Sequence, residues 1–168
     1  MYILFNFFIF GILGWAIENI YSYFIHGHFQ KDGFLNLPFK PMYAIAMSVL
    51  INLYSSIQNG YIFILLCAIV PTSVEYLTGK IMRSYFNKDY WDYSKCRFSI
   101  DGIICLRFSI YWTILTYIGV IYLRPLVTDR IYTFIYPYWV FLAPIIFITL
   151  FIDTLVTIRN YKLSIDIK

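Results

Sequence analysis

The chain has 168 residues, of which 61% are apolar, 22% aromatic and only 13% charged. A soluble domain carries roughly 25% charged residues, so this chain lacks the polar surface that would cover a globule in water. The formal net charge is +4, and no basic run is suited to nucleic acid. We therefore expect a protein embedded in the lipid bilayer, with no nucleic-acid partner.

Five apolar stretches are candidates to cross a bilayer as helices, at about 20 residues per crossing. They cover residues 3–23, 41–57, 61–79, 103–123 and 139–158, and a polar connection, the predicted cytoplasmic loop, covers 80–102. The second stretch is the shortest and would also fit a re-entrant or interfacial segment. The pattern predicts an all-α, multipass transmembrane bundle of five helices, forming one integral membrane domain over residues 1–168.

Two of these stretches carry additional signals. Gly11 and Gly14 lie three residues apart in the first stretch, and small residues at this spacing let a neighbouring helix approach closely. After the third stretch, apolar residues recur at helical spacing, which predicts that its helix continues into the headgroup layer as an amphipathic turn or two. These residues are Ile81, Met82, Tyr85 and Phe86.

The distribution of basic residues predicts the orientation. With five crossings, ten lysines and arginines share one side of the membrane and only Arg124 and Arg130 lie on the other, with Arg107 inside a helix. Basic residues favour the cytoplasmic side, so we expect the amino terminus outside and the carboxyl terminus in the cytoplasm. The ten are Lys31, Lys40, Lys80, Arg83, Lys88, Lys95, Arg97, Arg159, Lys162 and Lys168.

Four predicted helices each contain one ionisable residue at a similar depth on the cytoplasmic side. They are Glu18, Glu75, Arg107 and Asp153. A charge inside a membrane costs several kcal/mol unless it is paired or hydrated, so each of them needs a reason. If they face the bundle interior, they line a polar cavity open to the cytoplasm. Asp153 is the weakest member, because it could reach water near its helix end.

Two interpretations of this charged group stay open. In the first, Arg107 pairs with Glu18 or Glu75 to hold the bundle together, while the other charges extend to the interface. In the second, the group is a binding site, where Arg107 meets an anionic group and the carboxylates meet a cation or a proton. Both place the Arg107 guanidinium within about 4 Å of a carboxylate, or one bridging group from it.

The loops beside the predicted cavity add further candidates. Asp92 is placed to cap its own turn through the amide of Ser94, or else to face a substrate. Trp91 belongs to an aromatic group that is typical of the headgroup level, and substrate stacking is the alternative. Tyr43 lies just after the Pro41 that begins the second predicted helix. We add Asp92, Trp91 and Tyr43 to Glu18, Glu75 and Arg107 as candidate substrate-binding residues.

Four sets of residues also match the motifs of a known family, in the family's order. They are Gly14-Trp15 with Glu18; Gly33-Phe34-Leu35 with Pro38, Pro41 and Tyr43; Glu75-Tyr76 with Gly79; and Trp91-Asp92-Tyr93-Ser94 with Phe98, Gly102, Ile104-Cys105-Leu106, Phe108-Ser109 and Trp112. On these residues the chain resembles the ABC-transporter type IV (CmpB-like) family of small bacterial membrane proteins. The resemblance implies the family's membrane location and fold, and its name points to a permease.

The chain departs from the family's pattern at five positions. The pattern has glycine at Leu37 and Ala44, proline at Arg97, asparagine at Ser99 and arginine at Ile103. The last two replaced residues are the polar groups most suggestive of ligand contact. Their absence implies a divergent member, for which the family's ligand, another ligand or no ligand all stay open.

The leading functional hypothesis is a transporter permease or transport accessory in the bacterial cytoplasmic membrane. The chain has no phosphate loop, so ATP-driven transport would need a separate ATPase or another membrane subunit; a homo-oligomer also stays open. One alternative is a membrane-embedded enzyme acting on a lipid headgroup or other amphiphile, with Glu18, Glu75 or Asp92 as acid or base. Another is a helical subunit that acts only through partner proteins.

Catalytic and metal-binding motifs give little support to the enzyme alternative. The two histidines, His26 and His28, lie side by side, so no Ser-His-Asp or Cys-His arrangement can be argued. Without a third ligand they do not predict a metal site, and we expect no cofactor.

Overall fold

The structure is a computed structural model that describes residues 1–29 and 33–166. It contains α1 (Tyr2–His26), α2 (Pro41–Tyr54), α3 (Gly60–Phe86), a two-stranded ribbon of β1 (Ser99–Ile100) and β2 (Ile104–Cys105), α4 (Leu106–Ile118), a π-helical segment (Gly119–Thr128) and α5 (Asp129–Asp166). Apart from the short ribbon the fold is all-α, as predicted. Lys31 and Lys168, which contribute to the predicted charge asymmetry, lie outside the described residues.

Local chemistry explains where these helices begin and end. Gly27 ends α1 in a left-handed conformation, which glycine adopts without strain. Pro41 begins α2, at a position where its missing N–H is not needed. The side chain of Asn59 accepts hydrogen bonds from the first amides of α3, and Asn87 ends this helix in a left-handed conformation.

Helix α3 is longer than its apolar stretch. It runs to Phe86, which confirms that the helix continues beyond residue 79, while its placement in the headgroup layer stays a prediction. The predicted polar loop therefore begins at residue 87 rather than at 80, and part of it forms the ribbon.

The predicted boundary between the fourth and fifth helices is wrong. Helical hydrogen bonding continues without a break through residues 124–138, so a single stretch covers Leu106–Leu163. These residues had been predicted to lie between two separate apolar stretches. Widening the helix to π-type hydrogen bonding accommodates Pro125 and keeps the backbone groups paired.

The described residues form four continuous helical stretches, so the count of five helices is not confirmed. Three stretches are long and apolar enough to cross a membrane: Tyr2–His26, Gly60–Phe86 and Leu106–Leu163. The 14 residues of α2 extend only about 21 Å, which is less than the hydrocarbon core of a bilayer.

The long stretch Leu106–Leu163 reverses direction. A straight helix of its 58 residues would measure about 87 Å. Yet Ile103, just before it, packs on Gly79, and Tyr161, near its end, contacts Phe86. Both contacts lie in the carboxyl-terminal part of α3, so the stretch forms an outgoing and a returning arm.

Two groups of buried apolar side chains hold the bundle together. One joins α1 to α2, α5 and the loop before α2; it contains Phe5, Phe8, Leu35, Phe39, Ala44, Trp139 and Ala143. The other joins α1 to α2, α3 and the π-helical segment; it contains Phe10, Met47, Leu50, Ile51, Phe63, Cys67 and Val120. Large apolar side chains also cover the outside, Phe134 and Phe141 among them, as on a surface that faces lipid.

Candidate functional site

A close contact between α1 and the start of α2 positions the first site residues. A Cβ added at Gly14 would lie 2.3 Å from the Tyr43 ring, and one at Gly11 would lie 2.1 Å from the Phe39 ring. The amide of Lys40 donates a hydrogen bond to the carbonyl of Gly11, at 2.9 Å. The predicted close approach at these glycines is confirmed, and it holds Lys40 and Tyr43 against α1.

Glu18 forms an ion pair with Lys40. The ammonium Nζ lies 2.5 Å from Oε2 of Glu18, and the two side chains are only 15% and 21% exposed. Lys40 is the last residue before α2, so the ion pair ties the inner part of α1 to the entry of the next helix. The chain thus supplies its own cation to one of the predicted acidic residues.

Glu75 is buried inside α3 and is only 2% exposed. Its Oε2 accepts a hydrogen bond from Nε1 of Trp112 at 3.0 Å, and its Oε1 accepts one from the Tyr93 hydroxyl at 3.3 Å. Both of these donors are uncharged. The carboxylate therefore receives hydrogen bonds from α4 and from the loop after α3, without an arginine or lysine in an ion pair among the described residues.

Tyr43 connects the two acidic residues. Its hydroxyl is a hydrogen-bond partner of Glu18 and interacts electrostatically with Glu75. Its ring lies 4.5 Å from the ring of Trp112, centroid to centroid. Residues from α1, α2, α3, α4 and two loops thus form a single polar cluster. We define this polar cluster as Glu18, Lys40, Tyr43, Glu75, Tyr93 and Trp112.

Tyr93 closes the polar cluster on the loop side. Its ring stacks on the ring of Phe108 with centroids 4.4 Å apart. Burial raises the pKa of the Tyr93 hydroxyl, and the neighbouring Glu75 carboxylate raises it further. The hydroxyl therefore stays protonated at neutral pH and donates to Glu75.

The predicted contact of Arg107 with Glu18 or Glu75 is wrong. The Arg107 side chain is exposed, its Nε donates to the Tyr111 hydroxyl at 3.1 Å, and its guanidinium lies over the Tyr111 ring. Helix α4 presents Trp112, rather than Arg107, to Glu75. Sequence position predicted the depth of Arg107 but not the side of the helix on which it lies.

Asp92 and Trp91 shape the loop after α3. Asp92 accepts hydrogen bonds from the amide and the hydroxyl of Ser94, at 2.8 and 3.0 Å, which confirms the predicted turn. These bonds lower the pKa of the Asp92 carboxyl. Nε1 of Trp91 donates to the carbonyl of Ile103 at 2.8 Å. Neither side chain has a hydrogen bond to the polar cluster.

Asp153 binds the loop that precedes α2. It accepts hydrogen bonds from Nδ2 of Asn36 at 2.8 Å and from the amide of Leu37 at 3.1 Å. The contact fastens α5 to the segment that leads to Lys40. Asp153 lies outside the polar cluster and acts on it only through this loop.

Two departures from the family's pattern now have a structural setting. Ile103 is buried and packs on Gly79, where a Cβ would lie 2.4 Å from Cγ2 of Ile103. Ser99 lies in β1 opposite Cys105, and its hydroxyl is buried without a hydrogen bond. Neither position supplies a charge or an amide to this part of the protein.

Lys40, Tyr93 and Trp112 were not among the predicted site residues. Tyr93 and Trp112 belong to the last and most specific set of family motifs, which could have pointed to them. Lys40 was counted only in the charge asymmetry, because its position in the sequence does not indicate that it contacts Glu18. Among the described residues, no group of three or more His, Cys, Asp or Glu side chains is placed to hold a metal ion.

Comparison with known proteins identifies the family. The model of one family, described as "Putative ABC-transporter type IV", matches residues 5–158. No curated protein and no solved structure gave a significant match to the chain. The match includes parts of all four helical stretches and every residue of the polar cluster, and it agrees with the apolar helices in assigning the protein to a membrane. The chain belongs to this ABC-transporter type IV family.

Proposed function

We propose that the protein is the membrane-embedded subunit of a transport system of the bacterial cytoplasmic membrane, and that its polar cluster binds a proton or a cationic solute. The observation that carries this proposal is Glu75, which is 2% exposed inside an apolar helix and receives hydrogen bonds from uncharged donors. An acidic residue in such a setting is costly, and a function is its default explanation.

The charges of the polar cluster favour a cation over an anion. It contains two carboxylates, Glu18 and Glu75, and one ammonium, that of Lys40. Tyr43 and Tyr93 bring hydroxyls, and Trp112 brings an indole N–H, all of them neutral. One negative charge is left for a proton or a cation to neutralise, and the rings of Tyr43 and Trp112 also suit an organic cation.

The same proposal includes the topology. Helices α1 and α3 cross the membrane in the same direction, and α2, together with the segment before it, returns the chain to the outer side between them. The outgoing and returning arms of Leu106–Leu163 cross it twice more. The amino terminus lies outside, and the polar cluster lies toward the cytoplasm. A separate subunit would supply ATP hydrolysis, because the chain has no phosphate loop.

A ligand screen on the purified full chain in detergent tests the cation site. A ligand at a hundredfold excess over its Kd stabilises a protein by about 2.7 kcal/mol, which raises Tm by several degrees. We expect such a shift from a member of a panel of amines and inorganic cations, and none from carboxylates or neutral sugars. Glu75→Gln should abolish the shift, whereas Ser73→Ala, on the exposed face of the same helix, should retain it.

Other outcomes would contradict the proposal. Stabilisation by anions that survives Glu75→Gln would rule out the acidic site. Turnover of a labelled phospholipid, lost in Glu75→Gln, would favour the enzyme. No response to any solute, with Glu75→Gln as stable as the parent, would leave a subunit that acts only through partners.

A further inference from the structure

The ribbon between α3 and α4 is joined directly to a membrane helix. Ser99 pairs with Cys105 and Ile100 with Ile104, and the turn between them has Asp101 and Gly102 at positive φ. Cys105 is followed at once by Leu106, the first residue of the long apolar stretch. No connecting loop separates the ribbon from the stretch that enters the bilayer, so the ribbon lies at the membrane boundary.

The outer face of this ribbon is apolar. Side chains alternate between the two faces of a strand, so Ser99 and Cys105 share one face and Ile100 and Ile104 share the other. Cys105 is buried, whereas Ile100 is 55% exposed. A ribbon that faces water has the opposite arrangement, with polar residues outside.

Phe98 and Leu106 extend this apolar face at its two ends. Phe98 is 67% exposed and Leu106 is 50% exposed. Phe98 also has φ 56°, in the left-handed region that is unfavourable for a bulky side chain. The chain therefore accepts a strained backbone while leaving an aromatic ring outside the protein, which favours contact with another apolar phase.

Basic side chains border the apolar face. Lys95, Arg97 and Arg107 are all exposed, the Arg97 guanidinium lies over the Phe98 ring, and Arg107 lies within electrostatic range of Cys96. Two carboxylates lie close to them in the sequence. Asp92 accepts hydrogen bonds from Ser94 and is within electrostatic range of Lys95, and Asp101 is bound by Tyr76 and Lys80.

The carboxylate oxygens of the two aspartates have identified partners within the chain. Both oxygens of Asp92 are used in its turn with Ser94. Oδ2 of Asp101 accepts a hydrogen bond from the Tyr76 hydroxyl at 2.8 Å and pairs with Lys80 at 3.5 Å. Among the residues that the structure describes, none of Lys95, Arg97 and Arg107 is in an ion pair, so their charges remain available to anions outside the chain.

We infer that the ribbon inserts into the headgroup layer and binds anionic phospholipids. Phe98, Ile100 and Leu106 lie against the acyl chains, while Lys95, Arg97 and Arg107 bind headgroup phosphates. A lipid surface fits better than a second protein, because the apolar face continues into a membrane helix and its rim is basic. The inference requires only that α4 enters the bilayer, and it is independent of the cation site.

Photocrosslinking from position 98 tests this inference. Phe98→p-benzoylphenylalanine is introduced into the full chain, which is then reconstituted in vesicles of equimolar phosphatidylcholine and phosphatidylglycerol. After irradiation, intact-protein mass spectrometry should find adducts of one phospholipid. Phosphatidylglycerol adducts should exceed phosphatidylcholine adducts at least about fivefold, which corresponds to about 1 kcal/mol, the contribution of a single basic residue at an anionic surface.

Matched variants separate lipid contact from charge recognition. Asp89→p-benzoylphenylalanine, on the exposed polar loop, should give few lipid adducts. Arg97→Gln combined with Phe98→p-benzoylphenylalanine should reduce the preference for phosphatidylglycerol but leave the total amount of lipid adducts unchanged. If the Phe98 variant does not elute as a single species, Ile100→p-benzoylphenylalanine reports from the same face.

Three results would overturn the inference. Equal adducts of the two lipids would remove the anionic recognition. Crosslinked dimers without lipid adducts would make the face an interface between two copies. Absence of any adduct, when the Asp89 variant behaves in the same way, would mean that the ribbon faces water.

Discussion

At the scale of single residues, the partner of each intramembrane charge depends on the side of the helix on which it lies. Arg107 was expected to meet Glu18 or Glu75 because the three lie at similar depths. Instead Glu18 pairs with Lys40, and Arg107 faces outward. Depth follows from counting residues along a helix. The side of the helix on which a residue lies depends on how the helices pack. Lys40 reaches Glu18 only because α1 and α2 are in close contact.

The ion pair of Glu18 and Lys40 leads to a first prediction. Lys40→Met removes the cation and leaves a mostly buried carboxylate unpaired, which should lower the free energy of unfolding by about 3 kcal/mol. Glu18→Gln combined with Lys40→Met should recover part of this loss, because position 18 then no longer carries an unpaired charge. Thermal unfolding in detergent measures both effects.

Arg107→Gln is the matched control for this experiment. Its side chain is exposed, so the change should cost less than about 1 kcal/mol. The ion pair would have no structural importance if the double variant were no more stable than Lys40→Met alone. A large loss in Arg107→Gln would instead restore the original pairing hypothesis.

At the scale of helices, the two glycines of α1 decide how the polar cluster is assembled. Gly11 and Gly14 were recognised in the sequence as a small-residue face, and the structure identifies what packs on it: Phe39 and Tyr43. Tyr43 could not contact both Glu18 and Trp112 if α1 carried larger side chains here. The glycine spacing could be recognised in the sequence because both glycines belong to one helix. The side chains that pack on them come from another part of the chain, so only the tertiary structure identifies them.

Replacing Gly14 with leucine should separate α1 from α2. Even its Cβ would lie 2.5 Å from Cβ of Tyr43, which is part of a stiff aromatic side chain close to the backbone. We expect a lower yield of folded protein and a loss of about 1–3 kcal/mol in stability, measured by size-exclusion chromatography and thermal unfolding. Gly60→Leu is the control, because a Cβ there meets nothing within 4 Å. Equal behaviour of the two variants would mean that Gly14 is not in a helix contact.

At the scale of the whole molecule, helical continuity hides a reversal of the chain. Residues 124–138 lie between the fourth and fifth predicted stretches, but the backbone remains helical through them. The contacts of Trp139 with α1 and of Tyr161 with α3 show that the chain turns back all the same. The reversal is therefore visible in the contacts of the two arms and not in the helical hydrogen bonding of the backbone.

The proposed orientation of the whole molecule can be tested by cysteine labelling. In a Cys96→Ser background, Asp89→Cys should resist a membrane-impermeant maleimide in intact cells and react after permeabilisation, because it lies in the proposed cytoplasmic loop. Gln58→Cys, in the exposed connection between α2 and α3, should react in intact cells. The reverse pattern would invert the topology.

The sequence by itself determined that this protein is embedded in lipid, that its fold is helical and which family it resembles. Apolar composition and runs of about 20 apolar residues are properties of local segments, and they suffice to predict helices in lipid. It also singled out Glu18, Glu75 and Tyr43. Only the tertiary structure decided that Lys40 neutralises Glu18, that Trp112 and Tyr93 bind Glu75, and that Arg107 turns away. These pairings join residues that are 18 to 37 positions apart or that lie on different helices, and their choice depends on the rotation of each helix about its axis, which no local pattern contains.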